Sequence, residues 1–274
     1  MAYKIAIAAP VVVLGVLYFT AWRSPSYYMQ EKVCNDSTGI LTMVQYRTVR
    51  DTHARPYIIQ TDKVLIYGST HTKNPDDPQI KDIEEKWKAF KPTVLLVEGR
   101  LGFLVPGLMN PVKKYGENGK AYELAKKDDV KTFSWELEKE DLMKQLIEKF
   151  SAERVALKEI LNPYFSNLRF GKPDNPEKYV SQSLNRAKYV GMENTFKTIE
   201  DVDRIWKRDF PTIDWRNESD EDGLPGYLQQ IADATQWLRN IKLVCMIKEL
   251  TEKGEKVYVV AGSSHAVCIE KAIK

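Results

Sequence analysis

The chain has 274 residues, 43% hydrophobic and 29% charged, enough for one large globular domain or two small ones. Its 41 lysines and arginines against 38 aspartates and glutamates give a net charge of +3 with both signs mixed along the chain, so no phosphate-tracking surface and no nucleic-acid motif are visible. Three cysteines, Cys34, Cys245 and Cys268, have no metal-type spacing, and their odd number closes no disulfide framework.

Ile5 to Trp22 carries no charge over 18 residues. As a helix it would reach about 27 Å, enough to cross a bilayer. Lys4 precedes it, Arg23 follows it, and Phe19 stands where a signal peptidase prefers a small residue. This favours an uncleaved transmembrane anchor over 1–23 above a removed signal peptide, with the rest outside the cytoplasm. Residues 24–40 read as a polar tether carrying Cys34 as an exposed thiol. The remainder, 41–274, reads as an α/β domain with a helical middle section at about 137–250. Cys245 and Cys268 lie among apolar residues and read as buried thiols, with a bond between them open outside the cytoplasm.

LTMVQYRTV and ARPYIIQT have the β-branched and aromatic content of strands, with His53 in the turn between them. From Val64 to Arg100 the pattern is strand, turn, helix, strand. VLIY stops at Gly68 and is followed by His71 in GSTH, Asp77-Pro78 starts a helix, and TVLLV stops at Glu98. Parallel strands joined by a helix bring their C-terminal ends to one edge, so His71 and Glu98 should lie close together. A glycine-rich stretch, 101–119, suits a loop over a site and leads to a short helix ending near Lys127. KTFSWE then reads as a strand ending at Glu136. Leu142, Leu146, Ile147 and Phe150 form an apolar stripe at helical spacing. Tyr227 to Leu250 reads as a long helix with Ile231, Leu238, Ile241, Cys245 and Met246 facing the core and Arg239-Asn240 in its middle. Finally VYVVA runs into GSSH, which gives His265 the frame that GSTH gave His71.

Two of only three histidines thus fall in one short pattern after a strand. Ligands in open α/β sheets bind beyond the carboxyl ends of the strands, and here those ends carry His71, Glu98, Glu136 and His265. Two imidazoles and one or two carboxylates suit zinc, manganese, cobalt or iron, and a bound metal makes water nucleophilic near neutral pH. Without a metal, one histidine could act as general base with a glutamate orienting it. Arg239 could pair with Glu98 or Glu136, or stabilise an oxyanion, and Asn240 could supply a further hydrogen bond.

The order strand-GSTH, helix, strand-VEGR, strand-SWE, a helix with Arg239-Asn240, then strand-GSSH resembles the TraB/GumN/TIKI group within the erythromycin esterase and ChaN superfamily. The resemblance spans roughly Val64 to Ala266. It departs at Leu137, where the family commonly has proline after the glutamate, and at the C-terminus, where the chain stops short of a last strand. It implies an α/β fold with a mainly parallel sheet flanked by helices, paired Gly-x-x-His strand ends and a divalent metal (manganese, cobalt or zinc). The site it implies is a metal held by His71, Glu98 and His265, with Glu136, Arg239 and Asn240 as catalytic groups. The expected activity is hydrolysis of peptide or amide bonds, on a peptide or small-molecule substrate. A peptide- or haem-binding protein without activity and a metal-free esterase of the erythromycin esterase type stand as alternatives.

Overall fold

The structure, a computed structural model, describes residues 21–31, 33–220 and 223–274. All but the last three residues of the expected membrane anchor lie outside them, and among the described residues no helix is long and apolar enough to cross a membrane. The chain divides into two units, one formed by residues up to Glu136 and from Arg239 onward, the other by Leu137–Leu238.

The first unit is α/β. Strands β1 (Ser26–Tyr27), β2 (Tyr57–Gln60), β3 (Val64–Ser69), β4 (Val94–Val97), β5 (Lys131–Ser134) and β6 (Val257–Gly262) form one sheet in the order β1-β5-β4-β6-β3-β2. Only β2 runs antiparallel to its neighbour. Every residue of β3, β4 and β6 is buried, as expected of apolar strands covered on both faces. The helices are α1 (Met43–Val49), α2 (Pro78–Phe90) and α3 (Pro111–Lys127) in the first part of the chain. Then come α4 (Lys139–Ile147), α5 (Ala152–Asn167), α6 (Pro176–Ser181) and α7 (Ile199–Asp209), and last α8 (Tyr227–Glu252) and α9 (Ser263–Ile273). Ile83 and Trp87 of α2 and Ala121 and Ala125 of α3 bury against Leu95, Val97, Tyr258 and Val260 on one face of the sheet. Each large side chain so buried stabilises the fold by roughly 1.5–3 kcal/mol.

The second unit is helical. Its core gathers Tyr164, Phe165, Phe196, Trp206, Trp215 and Leu228, all at most 2% exposed. A smaller cluster joins Leu142, Leu146, Val155 and Ile231. The predicted stripe on α4 is narrower than expected, because Ile147 is 42% exposed. On α8, Ile231, Cys245 and Met246 are buried, and Leu238 and Ile241 are only half-buried.

Three expectations are corrected. LTMVQYRTV forms helix α1 rather than a strand. Thr42 and Gln45 make a reciprocal capping box at its start, and that local signal outweighs the β-branched content. Residues 24–40 are more than a tether, since β1 pairs with β5 and Tyr28 is buried, its hydroxyl donating to Glu249 at 2.7 Å. Cys34 is bonded to Cys245, which leaves Cys268 as the buried free thiol.

Candidate functional site

The strand order brings the predicted residues onto one edge. β6 inserts between β3 and β4, so the ends carrying Glu136, Glu98, His265 and His71 are consecutive across β5-β4-β6-β3. Gly68 pairs with Ala261 and Ser69 with Gly262, so the two Gly-Ser-x-His phrases are offset by one residue.

His71 stands in the loop after β3. Gln79 of α2 fixes that loop by accepting from Thr70 N–H at 3.1 Å and donating to Thr70 O at 2.6 Å. His71 Nδ1 lies 2.7 Å from Glu117 Oε1 and, facing a carboxylate, is the donor. Glu117 is 2% exposed and also accepts from Ser69 Oγ at 3.0 Å. It reaches this position because α3 breaks at Gly116, whose φ of 61° is left-handed and where a Cβ would sit 2.5 Å from Thr72 O. Of the stretch read as a glycine loop, residues 111–119 therefore belong to a kinked helix, and 101–110 remain a loop. The kink delivers a carboxylate to the histidine.

Glu98 follows β4. Its N–H donates to Asn118 Oδ1 at 2.8 Å, its Oε2 accepts from Gly262 N–H at 2.7 Å, and its Oε1 accepts from Arg239 Nη2 at 2.7 Å. Gly262 caps α9, so the carboxylate also lies at the positive end of that helix. Burial opposes the charge on Glu98, but the Arg239 guanidinium together with the two nearby imidazoles outweighs it, and the carboxyl is held well below the usual range. Arg239 donates as well to both oxygens of Glu136, at 2.9 Å from Nε and 2.5 Å from Nη2. Burial would lower the pKa of Arg239; Glu136 and Glu98 raise it instead. The guanidinium lies 4.9 Å from the ring centroid of Trp135.

His265 occupies the first turn of α9 and is 2% exposed. Its Nδ1 donates to Asn240 Oδ1 at 2.6 Å, and its ring meets Trp135 edge-on at 4.9 Å. Burial, then the nearby Arg239, press its pKa down to about 3, so it is neutral at ordinary pH. With the proton on Nδ1, Nε2 is an acceptor. It is buried without a hydrogen-bond partner, 3.7 Å from Glu98 Oε1, which is also an acceptor. Gly262 makes room beside them: a Cβ there would lie 3.2 Å from His71 Nε2 and 3.8 Å from Glu98 Oε2.

All six predicted residues therefore meet in the first unit, and His53 does not join them. It hydrogen-bonds Val49 O through Nδ1 at 2.8 Å. Sequence reasoning missed Glu117, Asn118 and Trp135. Glu117 left one trace, a carboxylate between two glycines in the stretch assigned to cover the site. Two imidazoles and a carboxylate suit a divalent metal, and the buried, unpartnered His265 Nε2 opposite a second acceptor is the mismatch that a cation would resolve. Among the described residues, no three His, Cys, Asp or Glu side chains are gathered at metal-holding distances. No family model matches this chain, and neither a curated protein nor a solved structure does.

Proposed function

We propose that the protein is a metal-dependent hydrolase acting on peptide or amide bonds, with His71, Glu98 and His265 holding a divalent ion. The observation that carries this reading is the fixed orientation of the two imidazoles. Each donates Nδ1–H to a side chain from a different helix, Glu117 or Asn240, and metal-binding histidines are oriented in this way. The ion, of manganese, cobalt or zinc type, would supply Lewis acidity and a water ionised near neutral pH. Glu98 contributes negative charge, and its bonds to Gly262 and Arg239 keep it ionised. Arg239, oriented by Glu136, offers positive charge to a substrate carbonyl as oxyanion character develops. Glu136 gives both its oxygens to Arg239, which favours a positioning role for it over that of fourth ligand or general base. The Cys34–Cys245 bond and the uncharged stretch 5–22 support a membrane-anchored protein facing an oxidising compartment.

A metal-free reading has its own support. Both Glu98 oxygens already have hydrogen-bond partners, and His71 with Glu117 forms a histidine–carboxylate pair suited to general-base attack on an ester. Metal analysis of the purified full-length protein by mass spectrometry, beside His71→Ala and His265→Ala, separates the two. About one ion per chain, lost in both variants, is expected. Absence of bound metal after incubation with manganese, cobalt and zinc, with ester hydrolysis unaffected by chelators, would move the assignment to the metal-free reading.

A further inference from the structure

Trp22, where the uncharged N-terminal stretch ends, pairs with Leu104. The Trp22 N–H donates to Leu104 O at 2.8 Å, and the Leu104 N–H returns to Trp22 O at 3.0 Å. Two surface features meet at Trp22. The first is the loop between β4 and α3, which carries no charge from Leu101 to Val112. Leu101, Leu104 and Val105 are buried beneath it, yet Phe103 is 40% and Leu108 is 72% exposed. Its backbone is held in place: Tyr115 Oη donates to Phe103 O at 3.0 Å, Leu101 N–H donates to Ser24 Oγ at 3.2 Å, and Met109 N–H donates to Val105 O at 3.0 Å. Two large apolar side chains are therefore presented outward on a braced turn. Exposed Arg100, Lys113 and Lys114 flank them. The second feature is a pocket of about 550 Å³ lined by Trp22 and by Arg23, Lys126 and Lys131, with Asp129 as the one carboxylate among its described lining residues.

We propose that the surface around Trp22 docks on an anionic phospholipid bilayer, with Phe103 and Leu108 set below the headgroups and the Arg23-Lys126-Lys131 pocket facing a lipid phosphate. An apolar tip between cationic flanks is the arrangement that inserts at a charged lipid interface. The chain itself points to this occupant. Eighteen uncharged residues, Ile5 to Trp22, lead to the point where loop and pocket meet, so a bilayer holding that stretch would lie against both. The inference therefore rests on the anchor reading above and adds a second, independent membrane contact. Phe103 is five residues beyond Glu98, at most about 18 Å of extended chain. The site would then open close to the membrane surface.

The test uses the full chain in vesicles of phosphatidylcholine and phosphatidylglycerol, with a nitroxide on Leu108→Cys and, for reference, on Val44→Cys of α1, where Val44 is 66% exposed. Native cysteines do not compete for label, two being bonded and Cys268 buried. The label at 108 should be relaxed by oxygen and shielded from a water-soluble nickel chelate, with the reverse at 44. The shielding at 108 should weaken in Lys126→Ala/Lys131→Ala. Equal nickel access at both positions, in vesicles that keep the chain through an alkaline wash, would overturn the docking and leave the anchor standing. A chain that washes off would overturn both. Shielding unchanged in the lysine variant would remove the phosphate contact from the proposal.

Discussion

After β3 the histidine stands exposed in a loop, its ring held by a carboxylate; after β6 the corresponding histidine lies buried in the first turn of a helix, its ring held by an amide. The four-letter phrase repeats, but its backbone does not. What the two ends share is an outcome, Nδ1 engaged by a neighbouring helix beside Glu98. What separates them is the charge of the partner. Glu117 sets a negative charge against the His71 ring, whereas burial, then the adjacent Arg239, keep His265 neutral down to about 3 beside the uncharged Asn240. The motif therefore locates the two rings, and their neighbours set a different charge around each.

The comparison breaks most severely if the cation between the carboxylates is removed. Arg239→Met leaves Glu98 and Glu136 facing each other in a largely buried setting, and should cost about 3–5 kcal/mol in denaturant unfolding with the disulfide intact. A loss under about 1 kcal/mol would mean that the carboxylates find other partners. Next come the two Nδ1 partners. Glu117→Gln and Asn240→Leu should each weaken metal binding by about 10–100-fold, read by competition with a chelating dye. A loss in only one variant would leave a single histidine holding the ion.

The third prediction follows from protonation. An unfolded histidine binds a proton near pH 6.5. Folded His265 stays neutral down to about 3. Between those values the unfolded chain holds more protons, so stability of the metal-free protein falls as the pH drops through that window. Glu98, whose folded pKa is also lowered, adds to the same decline below about pH 4.3, where an unfolded glutamate protonates. His265→Gln should flatten the upper part of the decline, by up to about 1.4 kcal/mol per pH unit. An unchanged slope between roughly pH 6.5 and 4.5 would show that His265 does not govern it. The smallest effect is expected at the third histidine. His53→Asn, at a partly buried position outside the site, should leave metal content unchanged and shift stability by about 1 kcal/mol or less.

Much of the α/β framework was legible because it depends on local pattern. VLIY, TVLLV and VYVV are apolar runs ended by glycine or a polar residue, and each became a parallel strand, as did the more polar KTFS. Glu98 and the two histidines were legible for the same reason, since a residue just past such a strand must lie at the site edge. What sequence reasoning missed depends on distant partners or on capping. Glu117 matters through a helix kink that the sequence does not announce, and it lies 46 residues from the histidine it holds. Cys34 finds Cys245 across 211 residues, a choice no spacing announces. α1 was misread because its side chains favour a strand and its Thr42-Gln45 cap favours a helix.

That cystine also ties together what the peptide backbone alone would not. The second unit, Leu137–Leu238, lies wholly between the two bonded positions. A single proteolytic cut anywhere in that stretch leaves both fragments covalently joined. On a gel such a nicked chain would run as one species until a reductant is added, and then as two. Damage to the helical unit would therefore leave the N-terminal segment attached to the C-terminal half of α8, with the chain held together by sulfur instead of by the peptide bond.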